Sequence, residues 1–460
     1  MRQLTKLWVV LLPVLPIIIA AFPWPGASRS YDIARYLQLM LLLLLATSWK
    51  SHFWNLLSTR QKQLVVALAS LSIASCVFAA KPDIAFREVG LILSLLLAMA
   101  VVSSSLDDDG TLRKIVRLFI GGQAFYVALI LILLISGQIF GGVLDYWKIF
   151  AGFSNPRYFN HAQTLIIPLL AGAIGMKSLQ DRWRWVSYFA LAAHFALLML
   201  LLGRGTAVAL LIIGMAAAIF LGKQGRSFAL TLVIGTLLGA TLYFCFAQAL
   251  PHLLGFEAIP AFRDVGERNS VEARFYLWQI AWTDIVNHPW LGIGPMHYAH
   301  HFNGEAAHPH NVYLQVAAEF GLPFAALVLL ALAWALKTTF LRIRKQGGDL
   351  QDPLAVAAFA ACVAALIDGL FSGNFVMPIS QIWVVFAVSL LISRLSKTDP
   401  DVVEHPSAWQ RGFLVFVIAA QVVGLAIASQ EFWLDSPNLV AGQLNPGEFF
   451  SPRFWQDGWF

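Results

Sequence analysis

Long apolar runs separated by short polar segments dominate this 460-residue sequence. Each run approaches the roughly 20 apolar residues that an α-helix needs to cross a bilayer. The runs are continuous rather than alternating, which is typical of membrane helices and not of a membrane β-barrel. Thirteen spans are predicted, at about 7–22, 32–49, 64–80, 88–104, 115–136, 163–178, 186–202, 206–222, 228–249, 317–336, 354–371, 380–394 and 413–429.

The composition supports the same class of protein. Hydrophobic residues make up 59% of the chain and charged residues 12%, and the mean hydropathy is +0.71. Soluble globular domains carry about twice that share of charge. The predicted fold class is therefore all-α, a polytopic integral membrane helical bundle of about 12–13 transmembrane helices with one large periplasmic loop.

Basic residues predict how the bundle lies in the membrane. Of the 31 Lys and Arg residues, 20 lie in the first segment and in every second loop after it. Short loops rich in Lys and Arg stay in the cytoplasm. We therefore expect the N-terminus inside and residues 250–316 outside, in the periplasm of a Gram-negative cell whose inner membrane holds the protein. The net charge of +6 reflects this anchoring and gives no case for nucleic-acid binding.

One membrane domain is expected to carry the whole function. It covers residues 1–429, includes the large loop 250–316, and is followed by an aromatic-rich periplasmic tail, 430–460, that is either an acceptor-docking surface or an interfacial belt. The first run lacks a small-residue cleavage site and is interpreted as a retained signal anchor. The three cysteines are far apart and are expected to be buried apolar residues.

Two arginines lie at predicted outer ends of spans. Arg204 is in the tight turn Gly203-Arg204-Gly205, and Arg157 belongs to a polar set at the start of the sixth span. Either side chain could simply reach the lipid headgroups. Alternatively, it could bind a phosphate or pyrophosphate through the two parallel hydrogen bonds that a guanidinium offers.

A third arginine lies in the large loop. The sequence NSVE at 269–272 resembles a helix-capping box and predicts a helix that runs to about Val286. Arg274 is in the second turn of that helix, with Trp278 and Trp282 one and two turns later. Two indoles on one stripe favour a helix that lies against the membrane or the bundle and holds Arg274 at a fixed height.

Histidines are dense in the second half of the same loop: His297, His300, His301, His308 and His310. A metal site is one interpretation, but no carboxylate stands at a helical offset that would complete it. A single histidine acting as general base is better supported. His310 is the favoured residue, because it directly precedes Asn311 and an amphipathic helix.

The residues around His310 resemble a known pattern. His310 and Asn311 are followed by nine residues and then by Gly321, as in the H-[N/S/Q]-x9-G-x-x-[G/T/Y] pattern of bacterial O-antigen ligases and related O-oligosaccharyltransferases. Phe324 departs from the last position. The resemblance includes the turn at Arg204, the R-x3-W spacing that begins at Arg274, and the sequence PWLGIG at 289–294, and it covers roughly residues 60–395.

This resemblance implies a reaction and its participants. Such enzymes move a glycan from undecaprenyl pyrophosphate to an acceptor hydroxyl, on lipid A–core or on a secreted protein such as a type IV pilin. His310 would be the general base, with Asn311, His308 and Gly321 supporting it. Arg204, Arg274 and Arg157 would hold the pyrophosphate, so that an inverting displacement needs neither metal nor cofactor.

Two other functions stay open at this point. An O-antigen polymerase of the same superfamily differs only in using a growing glycan as acceptor. A transporter or flippase for lipid-linked sugars is a different class, and proton-coupled transport favours charged residues deep within spans. Asp368, near the outer end of its span, is the only acid found well inside a predicted span, which disfavours such a carrier.

The orientation can be tested with reporter fusions. A reporter that is active only outside the inner membrane should be active when fused after Glu305 and inactive when fused after Gln346. The reverse pattern would contradict both the topology and a periplasmic site.

Overall fold

The computed structural model describes residues 15, 18–19, 30–46, 58–106, 109–140, 144–150, 152–262, 270–301, 303–346, 352–395, 408–435 and 453–455. This part of the chain is helical and contains no β-strand. The prediction of an all-α bundle is therefore confirmed.

The first half of the bundle consists of long helices joined by short turns. Its helices are α1 (Ser30–Ala46), α2 (Thr59–Val77), α3 (Pro82–Ser105), α4 (Asp109–Ile139), α5 (Tyr146–Ile149), α6 (Pro156–Ile174), α7 (Asp181–Leu200), α8 (Arg204–Phe220), α9 (Gly222–Tyr243) and α10 (Leu250–Leu253), with a π-helical turn, Phe244–Ala249, between the last two.

The second half adds the helices of the large loop and four long helices. They are α11 (Ser270–Asn287), α12 (Val312–Phe320), α13 (Leu322–Lys345), α14 (Pro353–Asp368), α15 (Pro378–Leu395) and α16 (Ala408–Gln430), with a 3-10 turn at His297–His300 and a π-helical turn at Glu431–Asp435. Asn269, the predicted cap of α11, lies outside the described residues.

Seven helical stretches in the described part are long and apolar enough to cross a membrane, and α8 and α14 are shorter apolar helices. Each predicted span from residue 32 onward coincides with a helix, whereas 7–22 lies mostly outside the described residues. One span was placed wrongly. The span predicted at 317–336 begins at Leu322, because Gly321 separates α12 from α13 with a left-handed backbone.

Local sequence explains several helix starts. Ser58 and Gln61 form a capping box before α2, in which each side chain bonds the backbone of the other residue. Asn155 and Asp352 cap α6 and α14, each followed by proline, whose fixed φ suits the first turn of a helix.

Small residues allow the helices at the centre to pack closely. Gly172 of α6 faces Ala357 of α14 so tightly that a Cβ at Gly172 would lie 2.2 Å from the alanine Cβ. Gly235 and Gly239 of α9 face α7 in the same manner. Helices in lipid associate through such van der Waals contacts, because no water is expelled there. α6, α14 and α15 therefore form the buried centre of the bundle.

The two ends of the bundle differ in character. At one end a cavity of about 360 Å³ is lined by residues that include Asp109, Arg113, Lys177, Asp352 and Arg394. These residues begin α4 and cap α14, or lie at the ends of α6 and α15, so several of the basic loops meet there. The opposite end gathers the starts of α6, α8 and α15 and the end of α14. Which membrane face each end occupies stays a prediction.

The large loop has a small apolar cluster of its own at this opposite end. Leu277, Ala281 and Ile285 of α11 pack with Tyr298 and with Ala317 and Ala318 of α12. The Tyr298 hydroxyl donates to the Leu277 carbonyl at 2.8 Å. α11 and α12 therefore form a compact module beside the end of the bundle.

Candidate functional site

The nine residues between Asn311 and Gly321 form one short helix with a defined start. The side-chain oxygen of Asn311 accepts hydrogen bonds from the backbone N–H groups of Tyr313 (3.0 Å) and Leu314 (3.1 Å). These N–H groups belong to the first turn, where an α-helix provides no partner of its own. Asn311 is therefore the N-cap of α12.

Gly321 ends this helix where no side chain fits. Its φ is +84°, and a Cβ there would lie 2.3 Å from the carbonyl oxygen of Trp290. Residues shortly after Trp290 also contact the end of α12: the N–H groups of Ile293 and Gly294 donate to the carbonyls of Ala318 (2.9 Å) and Glu319 (3.0 Å). The segment 289–294 thus bonds carbonyls at the end of α12.

The start of α12 rests on the end of α14. The N–H of Val312 donates to the carbonyl of Gly369 at 2.9 Å, and the Tyr313 hydroxyl donates to the carbonyl of Leu366 at 2.8 Å. Through these bonds the short helix of the loop is fixed against the centre of the bundle. The position of His310, the residue before the cap, follows from this docking.

His310 has an unusual backbone conformation. Its φ is +51°, in the left-handed region that residues with a side chain adopt rarely and that is often found at functional sites. Its N–H donates to Nδ1 of His308 at 3.2 Å, and the two rings lie 4.2 Å apart. His308 is buried at 1% exposure and packs against Gly373, whereas His310 stays partly exposed.

Nearby arginines act electrostatically on the His310 ring. Its pKa is lowered to about 3, first by burial and then by the charges of Arg274, His161 and Arg157. Trp278 holds α11 beside His310, because its indole N–H donates to the carbonyl of Pro309 at 3.0 Å. Arg274 lies one helical turn before Trp278 on α11. The imidazole of His310 is therefore neutral in a field of cations.

His308 is held neutral for related reasons. Its pKa is lowered well below the ordinary value, first by burial and then by electrostatic interactions with His310, Arg453 and His161. Its Nδ1 already accepts the N–H of His310. His308 therefore supports the conformation of His310 from behind.

Arg204 stands on the adjoining turn. It is the first residue of α8, follows Leu202 with φ +52°, and is exposed. A Cβ on Gly205 would lie 2.8 Å from Oδ1 of Asp368, so the turn lies against the end of α14. The carbonyl of Gly369, the residue after Asp368, accepts the N–H of Val312. The end of α14 therefore contacts both the turn at Arg204 and the start of α12 beside His310.

A buried polar network joins these elements. Asp368 Oδ2 accepts from the hydroxyls of Ser372 (2.7 Å) and Thr164 (3.3 Å), and it lies 3.8 Å from Nδ1 of His161. The hydroxyls of Thr164 and Thr206 are 2.8 Å apart. The ends of α6, α8 and α14 therefore share one set of hydrogen bonds directly beneath Arg204.

Comparison with protein families identifies this region. A model of the O-antigen ligase family matches residues 188–329, a stretch that contains Arg204, Arg274, His310 and Gly321. This match supports membership of the O-antigen ligase superfamily. Comparison with curated protein sequences finds no match.

Membership of the O-antigen ligase superfamily gives the activity at a general level. It implies a glycan ligase or polymerase, a glycosyltransferase-like enzyme that acts on lipid-linked glycans in the membrane. The multi-pass helical bundle agrees with that setting. Arg157 and His161, which influence His310, lie outside the matched stretch.

The structure brings some of the predicted site residues together, and their roles stay predictions. The rings of His308 and His310 are adjacent, and Arg274 and Arg157 act electrostatically on His310, whereas Gly321 lies at the far end of α12. The network around Asp368 was not predicted as part of the site. A carboxylate near the end of an apolar span was the available signal, since such a group needs nearby partners.

The remaining histidines have structural partners. His297 donates from Nδ1 to the carbonyl of Pro295 (2.9 Å) and accepts at Nε2 from the N–H of Lys81 (2.9 Å). His301 pairs with Asp284 at 3.0 Å, and this hydrogen bond raises its pKa. Within the described residues no group of three His, Cys, Asp or Glu side chains could hold a metal ion.

The capping role of Asn311 yields a test. Asn311→Ser keeps a capping oxygen and should retain most activity and thermal stability. Asn311→Ala removes both bonds and should lower stability by about 0.5–2 kcal/mol, with a larger loss of activity because His310 is adjacent. Unfolding in detergent and transfer assays measure the two effects. Equal behaviour of the two variants would contradict the role of Asn311 as a cap.

Proposed function

We propose that this member of the O-antigen ligase superfamily is a periplasm-facing glycan ligase of the bacterial inner membrane. It takes an oligosaccharide or polysaccharide from undecaprenyl pyrophosphate and transfers it to an acceptor hydroxyl, on a lipid A–core sugar or on Ser or Thr of a secreted protein such as a type IV pilin. The observation that carries the proposal is a neutral, partly exposed histidine in the field of two arginines.

The arginines suit the donor. Arg274 and Arg157 act electrostatically at His310, and Arg204 lies exposed on the adjoining turn. A lipid-linked pyrophosphate carries negative charge that grows on its terminal oxygen as the glycosidic bond breaks. Guanidinium groups stabilise such charge through paired hydrogen bonds. The arginines thus bind the donor and favour the departure of its lipid pyrophosphate from the glycan.

His310 suits the acceptor. Its ring makes no side-chain hydrogen bond to other described residues, so its nitrogens are available to a substrate. The acceptor hydroxyl gives its proton to the imidazole while its oxygen attacks the anomeric carbon. The bond from that carbon to the pyrophosphate oxygen breaks on the opposite side. The products are an inverted glycoside, the lipid pyrophosphate and a protonated His310, which then releases its proton to water.

The donor also makes His310 a better base. Burial and the charges of Arg274 and Arg157 keep its pKa low in the free enzyme. Binding of a pyrophosphate offsets the charges of the arginines, so the pKa rises towards the range in which proton transfer from a hydroxyl is favoured. Proton abstraction is therefore coupled to the presence of the donor.

The pH dependence follows from this coupling. Because its pKa is lowered to about 3, His310 stays neutral as the pH falls to 5.5 in the free enzyme. We therefore expect kcat/KM to lose less than twofold through this group between pH 7.5 and 5.5, where an ordinary histidine would lose about tenfold. In kcat, which reports the complex with donor, the acidic decline should begin at higher pH. Identical profiles with a midpoint near the ordinary value would contradict the coupling.

The choice of histidine is tested by substitution. His310→Ala should abolish transfer from purified lipid-linked glycan while leaving donor binding intact, because only the base is lost. His308→Ala should leave a measurable remainder, since that ring supports His310 without reaching the substrate. Both variants are assayed after chelation of metals. Full activity of His310→Ala would end the general-base proposal, and loss of wild-type activity on chelation would favour a metal.

Arg204 is tested by a conservative change. Arg204→Lys should lose nearly as much activity as Arg204→Ala, about 10- to 100-fold, because an ammonium cannot reproduce two parallel hydrogen bonds to a pyrophosphate. Arg226→Lys, at an exposed position in the second turn of α9, is the matched control and should be neutral. High activity of Arg204→Lys at normal abundance would show that charge alone suffices there.

A further inference from the structure

A short segment far along the sequence is inserted among the helices next to α12. Residues 453–455, here named the clasp, are bound mainly through their backbone. Arg35 of α1 donates to the carbonyls of Phe454 (3.0 Å) and Arg453 (3.2 Å), and the Tyr31 hydroxyl also donates to the Arg453 carbonyl. Buried donors on α1 thus bind the backbone carbonyls of the clasp, independently of the clasp side chains.

Aromatic side chains of the clasp add specific contacts. The Phe454 ring lies between two guanidinium groups, 5.5 Å from that of Arg35 and 5.0 Å from that of Arg87. Cations above an aromatic face are attracted by its negative charge density. The Trp455 indole donates to Glu431 at 2.8 Å, and Arg87 pairs with the same carboxylate through two bonds. These contacts tie the clasp to α3 and to the end of α16.

The Arg453 side chain leads from the clasp to α12. Its guanidinium is 1% exposed and lies 2.7 Å from Oε2 of Glu319, which is equally buried. Glu88 is the second carboxylate near it, at 3.5 Å. Glu319 is in the last turn of α12, and its other oxygen accepts the N–H of Tyr298 at 3.2 Å. The two charges stabilise each other, because a buried charge without a partner would lose its hydration with no compensating interaction.

The clasp also supports the loop behind His308. Arg35 donates to the Val376 carbonyl at 2.8 Å, and the Val376 N–H donates to the carbonyl of Gly373 at 2.8 Å. Gly373 is the residue against which the His308 ring packs. The charge of Arg453 acts on His308 as well. Two routes of contact therefore run from the clasp to the pair of histidines.

We propose that Arg453 is a positioning residue for His310, acting through its ion pair with Glu319. The inference rests on the proposed function of His310. α12 is a rigid rod of nine residues, about 14 Å long, with His310 immediately before its start and Glu319 in its last turn. If the C-terminal end of α12 is held at Glu319, the orientation of its N-terminal end beside His310 is fixed as well. The clasp holds Glu319 through Arg453.

The test compares Arg453→Met with Arg394→Met in the full-length protein. Arg394 pairs with Asp352 at the opposite end of the bundle, so its variant loses a partly exposed ion pair away from the site. Arg453→Met should accelerate amide hydrogen exchange in residues 312–320 and lower kcat at least tenfold, with the donor KM within about twofold of the wild-type value. Arg453→Lys should be intermediate. Arg394→Met should leave both readouts unchanged.

A paired variant covers the case in which Arg453→Met fails to fold. Arg453→Met combined with Glu319→Gln removes both fully buried charges, leaves only the partly exposed Glu88 without Arg453, and should fold. It lacks the link to α12 and should show the same loss of kcat. Wild-type exchange in 312–320 together with wild-type kcat, in whichever of these variants folds, would overturn the proposal. Hydrogen exchange does not depend on the assay, so an active His310→Ala variant would end the general-base proposal while the role of Arg453 in holding α12 is judged separately.

Discussion

The ion pairs and backbone bonds that hold α12 determine where everything else in the site can be. This helix is too short to be stable alone, because isolated helices of its length are marginal in water. It exists because Asn311 caps its start, the segment 289–294 bonds its last carbonyls, and α14 and the clasp hold its two ends. The bundle therefore positions α12, and α12 in turn positions His310.

Charge at this end of the bundle has two separate functions. Beneath Arg204, Asp368 is shielded by hydroxyl groups and lies near a histidine, which stabilises a carboxylate at the edge of the apolar region. Around His310 the charges are positive and partly accessible. The first arrangement is closed and contributes to the structure. The second arrangement presents partly exposed positive charge, which attracts an anionic substrate.

Much of this architecture could be predicted from the sequence, and the reasons for the remainder are physical. Apolar runs define the helices well, since each one must satisfy its own backbone in lipid. Motifs predicted that Arg274 and His310 belong to one site, and the electrostatic effect of Arg274 on His310 accompanies a hydrogen bond from Trp278 to the Pro309 carbonyl. By contrast, the contacts of Arg453 with Glu319 join residues 134 positions apart, and no periodicity in a single sequence reports such a distance. The start of α13 was misplaced because the apolar run continues through Gly321, where only the backbone conformation marks a break.

The spacing of nine residues between Asn311 and Gly321 has a consequence for how such proteins can diverge. Each residue of an α-helix turns the chain by about 100°, so one inserted residue in α12 would rotate Gly321 away from the Trp290 carbonyl while leaving the Asn311 cap in place. A change in the length of this helix would therefore separate its two ends from their partners. The length of α12 therefore sets the angle between the Asn311 cap, next to His310, and the turn at Gly321.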